Sequence, residues 1–144
     1  MSSEITRRVD APPARVWDVL ADVASWPTWT ASVTSVELLD EGPMRVGWRV
    51  RMAQPRLPTS VWTVTEVEVG RSFTWQARGP GRLTTATHRI EPAAQGSTVV
   101  LGVRQEGPVG LVVGRLARSL TERYMALEAD GLARRAEGRA HPPG

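Results

Sequence analysis

The sequence predicts one α+β domain, in which an antiparallel sheet of about six to seven strands wraps around a long C-terminal helix. Its 144 residues suit a single domain, and the 41% share of hydrophobic residues is enough for a core. The middle of the chain consists of short segments in which apolar and polar residues alternate between Gly and Pro turns, which is typical of hairpin-linked strands. The C-terminal segment changes to a helical period.

The N-terminal region predicts one strand followed by two short helices. Ile5 and Val9 lie an even number of residues apart, so residues 4–10 form a strand with one inward face. A helix is expected to start near Pro13, because the fixed φ of proline suits the first helical turn. Pro27 disfavours helix at the residue before it, so the first helix ends here and a second short helical turn straddles the break.

The clearest strand of the sheet lies within residues 46–52. Val46, Trp48, Val50 and Met52 alternate with polar residues and glycine, and this pattern places their side chains on one face.

The other strands are less regular. Residues 61–69 lose their alternation near Thr65 and Glu66, which predicts a β-bulge. Further strands are predicted at residues 33–39, 73–78, 83–91 and 98–106. The last of these is apolar on both faces, so the pattern does not assign its inward face.

A single helix is predicted over residues 109–137. Its apolar stripe, expected to face the sheet, consists of Val112, Leu116, Leu120, Tyr124 and Leu127. A helix of this length is long for so small a domain, so it should lie across the whole sheet. The domain is expected to span residues 1–138, with residues 139–144 as a flexible tail.

The composition excludes several classes of chemistry. The chain has no cysteine, which excludes disulfides, thiolate catalysis and thiolate metal ligands. All 18 basic residues are arginine, and without a lysine neither a Schiff base nor a P-loop can form. The arginines are mixed with 15 acidic residues instead of clustering, so no nucleic-acid partner is expected despite a pI near 10.8. No cluster of residues has metal-binding spacing, and neither a metal nor another cofactor is expected.

Two further absences bear on where the protein works. Residues 1–4 show neither the basic nor the apolar region of a signal peptide. No apolar run reaches the ~20 residues that cross a bilayer. A cytoplasmic protein without integral membrane association is therefore expected, and its oligomeric state is left open.

Six tryptophans are the most informative feature, since the chain has only one Phe and one Tyr. Large rigid rings with a polar N–H suit the walls of a cavity that must stay open. Trp17 and Trp29 belong to helix-packing segments and are expected in the core. For Trp48, Trp62 and Trp75, which lie on predicted strands, two interpretations remain open: a ligand-binding wall and a plain core.

His88 and Tyr124 are the candidates for polar contacts with a ligand or for proton transfer. His88 shares a strand face with Ala86 and Ile90, so an inward face would place a titratable ring in an apolar pocket. The hydroxyl of Tyr124 is expected to point into the cavity. The structural alternatives are a hydrogen-bonded or rim histidine and a core tyrosine. Met52 is a further candidate for ligand binding.

Short motifs accompany this order of elements. They are Ala-Pro-Pro-Ala-Arg-Val-Trp-Asp-Val-Leu at residues 11–20, Asp22, Trp-Pro-Thr-Trp at 26–29, Gly-Arg-Ser-Phe-Thr-Trp at 70–75, Ile-Glu-Pro at 90–92 and Gly-Ser-Thr at 96–98. With them the chain, from about residue 5 to about residue 136, resembles the helix-grip superfamily. This START-like or SRPBCC superfamily includes lipid-transfer domains, bacterial polyketide cyclase/dehydrase-like proteins and plant pollen allergens.

The resemblance implies a half-barrel closed by the C-terminal helix, with a ligand tunnel between the helix and the sheet. It does not imply one activity, because a fold supplies a cavity and not a reaction. The favoured hypothesis is binding of a hydrophobic small molecule of aromatic, polyketide or lipid-like character. The first alternative is a polyketide cyclase or aromatase in which His88 or Tyr124 moves protons. The second is a protein-interaction module that uses a sheet edge or the C-terminal helix.

Overall fold

Seven antiparallel strands form one sheet, and the long C-terminal helix packs on its inner face. The computed structural model describes residues 2–138, and the tail predicted at residues 139–144 lies outside them. The strands are β1 (Ser2–Val9), β2 (Ser35–Leu38), β3 (Arg49–Ala53), β4 (Ser60–Glu68), β5 (Ser72–Gly79), β6 (Arg82–Ala93) and β7 (Gly96–Glu106). The helices are α1 (Pro13–Ala21), a 3₁₀ helix (Val23–Thr28), α2 (Pro108–Leu116) and α3 (Arg118–Ala136). This architecture confirms the predicted helix-grip fold.

The strand order is β1-β7-β6-β5-β4-β3-β2, so consecutive strands from β2 to β7 are neighbours and β1 lies beside β7. The pleat of β5 places Phe73 and Trp75 on the inner face, where both are buried. Phe73 lies opposite His88, and Trp75 lies opposite Ala86, on β6. In β7, whose inward face the sequence left open, Leu101 aligns with His88 and therefore also faces inward.

Two short helices follow β1, as predicted. Pro12 is extended (φ −66°, ψ 153°), and α1 begins at Pro13. Val16 and Leu20, one helical turn apart, are fully buried on the inner side of α1. The indole Nε1 of Trp26 donates a hydrogen bond of 3.0 Å to the carbonyl oxygen of Leu20, and this bond ties the 3₁₀ helix to α1.

Two details of the strand prediction have opposite outcomes. The pairing of β4 with β5 shifts between Val64 and Glu66, which confirms the predicted bulge. The start of β3 was predicted too early, because Val46 is exposed and only the residues from Arg49 onwards are extended. Gly47 lies between them in a turn with a φ of 91°, a value that a strand does not contain.

The C-terminal helix differs from the prediction in two ways. It is interrupted at Ala117 (φ −98°, ψ 12°), which separates α2 from α3. The α2 part of the predicted stripe is also wrong, because Val112 and Leu116 are exposed, whereas Leu120, Tyr124 and Leu127 on α3 are half-buried. The residues that are buried are Gly110, Gly114, Met125, Ala129, Gly131, Leu132, Ala133 and Ala136. The prediction assigned large apolar side chains to the buried face, whereas the closely packed helices bury mostly small residues, together with Met125 and Leu132.

Two glycines show how closely these helices approach the rest of the fold. A β-carbon added at Gly131 on α3 would collide with the carbonyl oxygen of Trp29. A β-carbon added at Gly110 on α2 would lie 3.3 Å from Cβ of Arg82. The first contact is with backbone, which moves little, and the second is with a side chain. The position of α3 therefore depends on glycine at residue 131.

A candidate ligand cavity between the sheet and α3

A cavity of about 120 Å³ lies between the inner face of the sheet and α3. Its apolar walls consist of Trp26, Val33, Met52, Leu57, Trp62, Trp75, Ala86, Val103 and Met125. The polar groups among them come from Gln54, Thr84, His88, Gln105, Thr121, Tyr124 and Glu128. A mostly apolar hollow with a few polar groups is the usual composition of a small-molecule site.

The inner end of the cavity is a cluster of stacked rings. Phe73 and His88 face each other across β5 and β6, with ring centroids 4.0 Å apart and planes 9° apart. Trp75 meets His88 edge-on, with centroids 5.6 Å apart, and Trp26 lies 5.8 Å from the same ring. Because cross-strand pairing and stacking both fix the imidazole, His88 has little freedom to turn. Its side chain is only 4% exposed.

His88 bridges a backbone carbonyl and a carboxyl group from α3. Its Nδ1 lies 3.3 Å from the carbonyl oxygen of Phe73, and its Nε2 lies 3.4 Å from Oε1 of Glu128. A carbonyl oxygen only accepts, so Nδ1 carries a hydrogen and donates it. The Nε2 atom and the carboxyl group of Glu128 thus face each other on the cavity wall. The fold thereby brings an imidazole and a carboxyl group together at the aromatic end of the cavity.

Two polar atoms in this cavity lack hydrogen bonds. Among the described residues, neither Nε1 of Trp62 nor Oε1 of Glu128 has a hydrogen-bond partner, although both atoms are fully buried. The contact between Glu128 and His88 is longer than the 2.7–2.9 Å typical of a charge-assisted hydrogen bond. Buried groups in native proteins are rarely left unpaired, because desolvation costs about 1–3 kcal/mol per group. The indole donor is therefore available to a ligand, and the carboxyl oxygen, whose contact with His88 is long, can also accept a hydrogen bond from one.

The outer end of the cavity lies where the loop between β3 and β4 meets α3. Leu57 lines the cavity and is more than one-third exposed, so the cavity reaches solvent here. The hydroxyl of Tyr124 donates a hydrogen bond to the carbonyl oxygen of Pro55 and joins the loop to α3. Elsewhere on the cavity wall, Oγ1 of Thr84 donates to Oε1 of Gln105 at 2.7 Å.

Five of the six residues predicted from the sequence to contact a ligand line this cavity. They are Met52, Trp62, Trp75, His88 and Tyr124. The sixth, Trp48, is buried in the core outside the cavity wall. The hydroxyl of Tyr124, expected to point into the cavity, instead bonds to the loop at the opening. Trp17 and Trp29 are buried in the core, as expected.

Two of the cavity residues that the sequence did not predict, Glu128 and Trp26, lie next to His88. Glu128 follows Tyr124 by four residues on α3, a spacing that places both side chains on one helical face. An acid on the same helical face as Tyr124 was the available signal, but no local spacing shows that it pairs with His88 on a distant strand. Trp26 was interpreted as part of a helix break. Its place beside His88 depends on how the 3₁₀ helix packs under the sheet, which no local pattern shows.

Neither a metal site nor a membrane span is found in the part of the chain that the structure describes. Within residues 2–138, no three His, Asp or Glu side chains lie close enough together to hold a metal ion. No helix in the same range is long and apolar enough to cross a membrane. In the cavity, His88 and Glu128 are two neighbouring side chains and do not belong to a group of three such residues within the same range.

Comparison with solved structures supports the same fold. The aromatase/cyclase Zhui from a Streptomyces species is 24% identical, with a TM-score of 0.75 over 100% of this chain and 98% of its own. A hypothetical protein from Helicobacter pylori is 12% identical, with a TM-score of 0.78 over 94% of this chain and 86% of its own. A protein from Thermus thermophilus is 22% identical, with a TM-score of 0.68 over 96% of both chains.

The sequence comparisons give one family and no close relative. No curated protein matches the sequence. A family model described as polyketide cyclase/dehydrase and lipid transport matches residues 1–137, almost the whole chain. The chain therefore belongs to the polyketide cyclase/dehydrase and lipid transport family.

Proposed function

We propose that this protein binds a ring-containing apolar small molecule that carries an oxygen substituent. The observation that carries this proposal is the pair of buried unpaired atoms, Nε1 of Trp62 and Oε1 of Glu128, in one aromatic cavity. The indole N–H donates only, so it requires an acceptor such as a carbonyl or hydroxyl oxygen. A ligand hydroxyl can donate to the carboxylate of Glu128. A phenol or a hydroxyketone supplies both contacts, whereas a plain hydrocarbon supplies neither.

The size of the cavity limits the ligand. An apolar cavity of about 150 Å³ binds benzene in another protein, so a cavity of about 120 Å³ limits the enclosed part of a ligand to at most one ring. Larger ligands, which usually occupy sites of about 300 Å³ or more, require the outer end to open. The loop held by Tyr124 and Pro55 is the segment that would move.

A matched pair of probes tests the proposal. Toluene and p-cresol have nearly the same shape, and only p-cresol carries a hydroxyl. We expect p-cresol to bind more tightly by about 10- to 100-fold in titration calorimetry, because a hydrogen bond to a charged group contributes about 1.5–3 kcal/mol. The Glu128→Gln substitution keeps the side-chain volume and should reduce this preference by about ten-fold. Equal affinity for the two probes would contradict the proposal.

Two tryptophans provide a further control. Trp62 and Trp48 both bury an indole N–H that has no partner among residues 2–138, but only Trp62 lines the cavity. The Trp62→Phe substitution should therefore weaken p-cresol binding, whereas Trp48→Phe should leave it unchanged. If both substitutions weaken binding equally, the effect arises from core packing and not from a ligand contact.

The second candidate function is cyclisation of a bound polyketone. The observation that favours it is the approach of His88 to Glu128, with Nε2 and Oε1 3.4 Å apart, on the cavity wall. The pair can remove a proton from a carbon next to a ketone, and that carbon then attacks a distant ketone. It can return the proton to the new alkoxide, and loss of water then gives an aromatic ring. Enclosure in the cavity would hold the chain folded for ring closure.

A small substrate separates the two candidates. A linear seven-carbon triketone closes to orcinol with loss of one water, and orcinol is about as large as p-cresol. A cyclase should accelerate this closure, and Glu128→Gln should lower the rate by about 100-fold while leaving toluene affinity unchanged. A binding protein should bind orcinol without accelerating its formation.

A further inference from the structure

Helix α2 buries its small residues and exposes its large apolar ones, which is the reverse of an ordinary amphipathic helix. Gly110 and Gly114 face the protein and are buried. Leu111, Val112 and Leu116 face solvent and are 53%, 59% and 82% exposed. A helix on a soluble domain normally turns its large apolar residues inward, because their burial stabilises the fold.

Contacts with the sheet fix this orientation. The backbone N–H groups of Val109 and Gly110 donate to the carbonyl oxygen of Gly81, at 2.9 and 3.2 Å. A β-carbon at Gly110 would lie 3.3 Å from Cβ of Arg82, so the helix already lies close to the sheet at this residue. Turning the leucine side inward would break both hydrogen bonds. The exposed apolar face of α2 is therefore a constant feature of the fold.

The charge around this face is positive. A groove of about 510 Å³ beside α2 is lined by Leu111, Val112, Arg115, Leu116 and Arg118. Arg118 pairs with Glu122 at 3.1 Å. Arg115 has no ion pair among residues 2–138, and α2 itself contains no acidic residue. Apolar side chains next to an unpaired arginine match a ligand that combines hydrocarbon with a negative charge.

The small number of exposed apolar residues argues against a second copy of the chain. On α2 these are the four residues Val109, Leu111, Val112 and Leu116, whereas each partner in a stable interface contributes roughly 20–30 residues. A stable dimer usually needs about 800 Å² from each partner. An interfacial helix on a membrane needs less, because apolar insertion and attraction to anionic headgroups act together. We infer that α2 docks this protein on the surface of an anionic lipid membrane, without crossing it.

Docking through α2 would bring the lipid close to strands that form the cavity wall. The helix packs against β6 and β7, and Thr84 and Gln105 on those strands line the cavity. An apolar ligand released from the cavity would then have a short path to hydrocarbon. This arrangement goes beyond ligand binding, since the docking face and the cavity use different residues.

Vesicle flotation tests the inference with two lipid compositions. The wild-type chain should bind vesicles of phosphatidylcholine mixed with phosphatidylglycerol, and added salt should weaken this binding. Vesicles of phosphatidylcholine alone should bind much less. The Leu116→Ser and Arg115→Glu substitutions should each lower the partition coefficient by about ten-fold. Both residues are exposed, so circular dichroism should show an unchanged fold.

A matched pair of controls lies at the turn between β4 and β5. Val69 is 77% exposed, and Arg71 is an exposed neighbouring cation. The Val69→Ser and Arg71→Glu substitutions should leave vesicle binding unchanged. The inference is overturned if the wild type binds neither vesicle, or if the α2 variants bind as well as these controls. It is also overturned if sedimentation shows a dimer that Leu116→Ser converts to monomer.

Discussion

The inner end of the cavity, around Phe73 and His88, contains closely stacked rings, whereas its outer end, around Leu57 and Tyr124, contains a loop hydrogen-bonded to a helix. At the inner end, ring centroids lie 4.0 Å apart and the side chains are almost fully buried. At the outer end, Leu57 is partly exposed and the hydroxyl of Tyr124 holds the loop. The comparison indicates that the inner end keeps its shape when a ligand binds, and that any opening occurs at the outer end.

Truncating one side chain at each end should reveal the largest difference in stability between the two ends. The Phe73→Ala substitution should lower the free energy of unfolding by about 3–5 kcal/mol, because it leaves a cavity among stacked rings. At the outer end, Leu57→Ala should cost about 1 kcal/mol or less, because this side chain is already partly in water. Urea denaturation of both variants measures the difference. Equal losses would show that the two ends are equally packed.

A smaller loss of stability is expected when α3, which forms part of the cavity wall, is displaced. Replacing a helical glycine by alanine normally stabilises a helix by about 1 kcal/mol. In Gly131→Ala the new methyl group would collide with the carbonyl oxygen of Trp29, so we expect a loss of about 2–3 kcal/mol. Gly110→Ala on α2 is the matched control, because its new methyl group would meet a side chain and not a backbone carbonyl. This substitution should change stability by less than about 1 kcal/mol. A gain in stability for Gly131→Ala would contradict the observed packing.

The hydrogen bond at the outer end should affect motion more than stability. The Tyr124→Phe substitution removes the bond to Pro55 and should cost about 0.5–1.5 kcal/mol. The free energy of loop opening should fall by a similar amount. The amides of the loop should therefore exchange with solvent about ten-fold faster. Ser60→Ala, which removes a hydroxyl bonded within the loop to Pro58, is the control. Unchanged exchange in Tyr124→Phe would show that the loop is held by other contacts.

The smallest effect is expected far from both ends, in the loop before β3. The side chain of Arg49 donates to both carboxylate oxygens of Asp40, at 3.1 and 3.2 Å. These hydrogen bonds hold the pKa of Asp40 below its ordinary value of 3.8. A lowered folded-state pKa stabilises the fold above pH 3.8, and this stabilisation is lost as the pH falls through the lowered pKa.

The Asp40→Asn substitution tests this pH dependence. The variant should be slightly less stable than the wild type near neutral pH, and the two should converge in acid. Because the pair lies at the surface, the difference should also shrink in high salt. Thermal unfolding at a series of pH values measures it. A difference that grows in acid would show that Arg49 does not stabilise the charged carboxylate.

The strands were predictable from sequence because alternation is a local property of an extended chain. The bulge in β4 and the inward rings of β5 follow from the same pattern. The buried face of α2 and α3 was not predictable from size, since close packing selects Gly110 and Gly131 instead of the large residues nearby. The pairing of His88 with Glu128 joins two elements, and it depends on the position that those glycines allow α3 to take.

The most direct test of the ligand site is the nuclear magnetic resonance signal of the indole N–H of Trp62. Six indole signals should be resolved in a nitrogen-correlated spectrum, and Trp62→Phe and Trp48→Phe assign the two that matter. Saturating p-cresol should shift the Trp62 signal as its N–H gains an acceptor, toluene should shift it much less, and the Trp48 signal should stay in place. If p-cresol and toluene shift the Trp62 signal equally, or if neither shifts it, the cavity does not bind an oxygen-bearing ring in the way proposed.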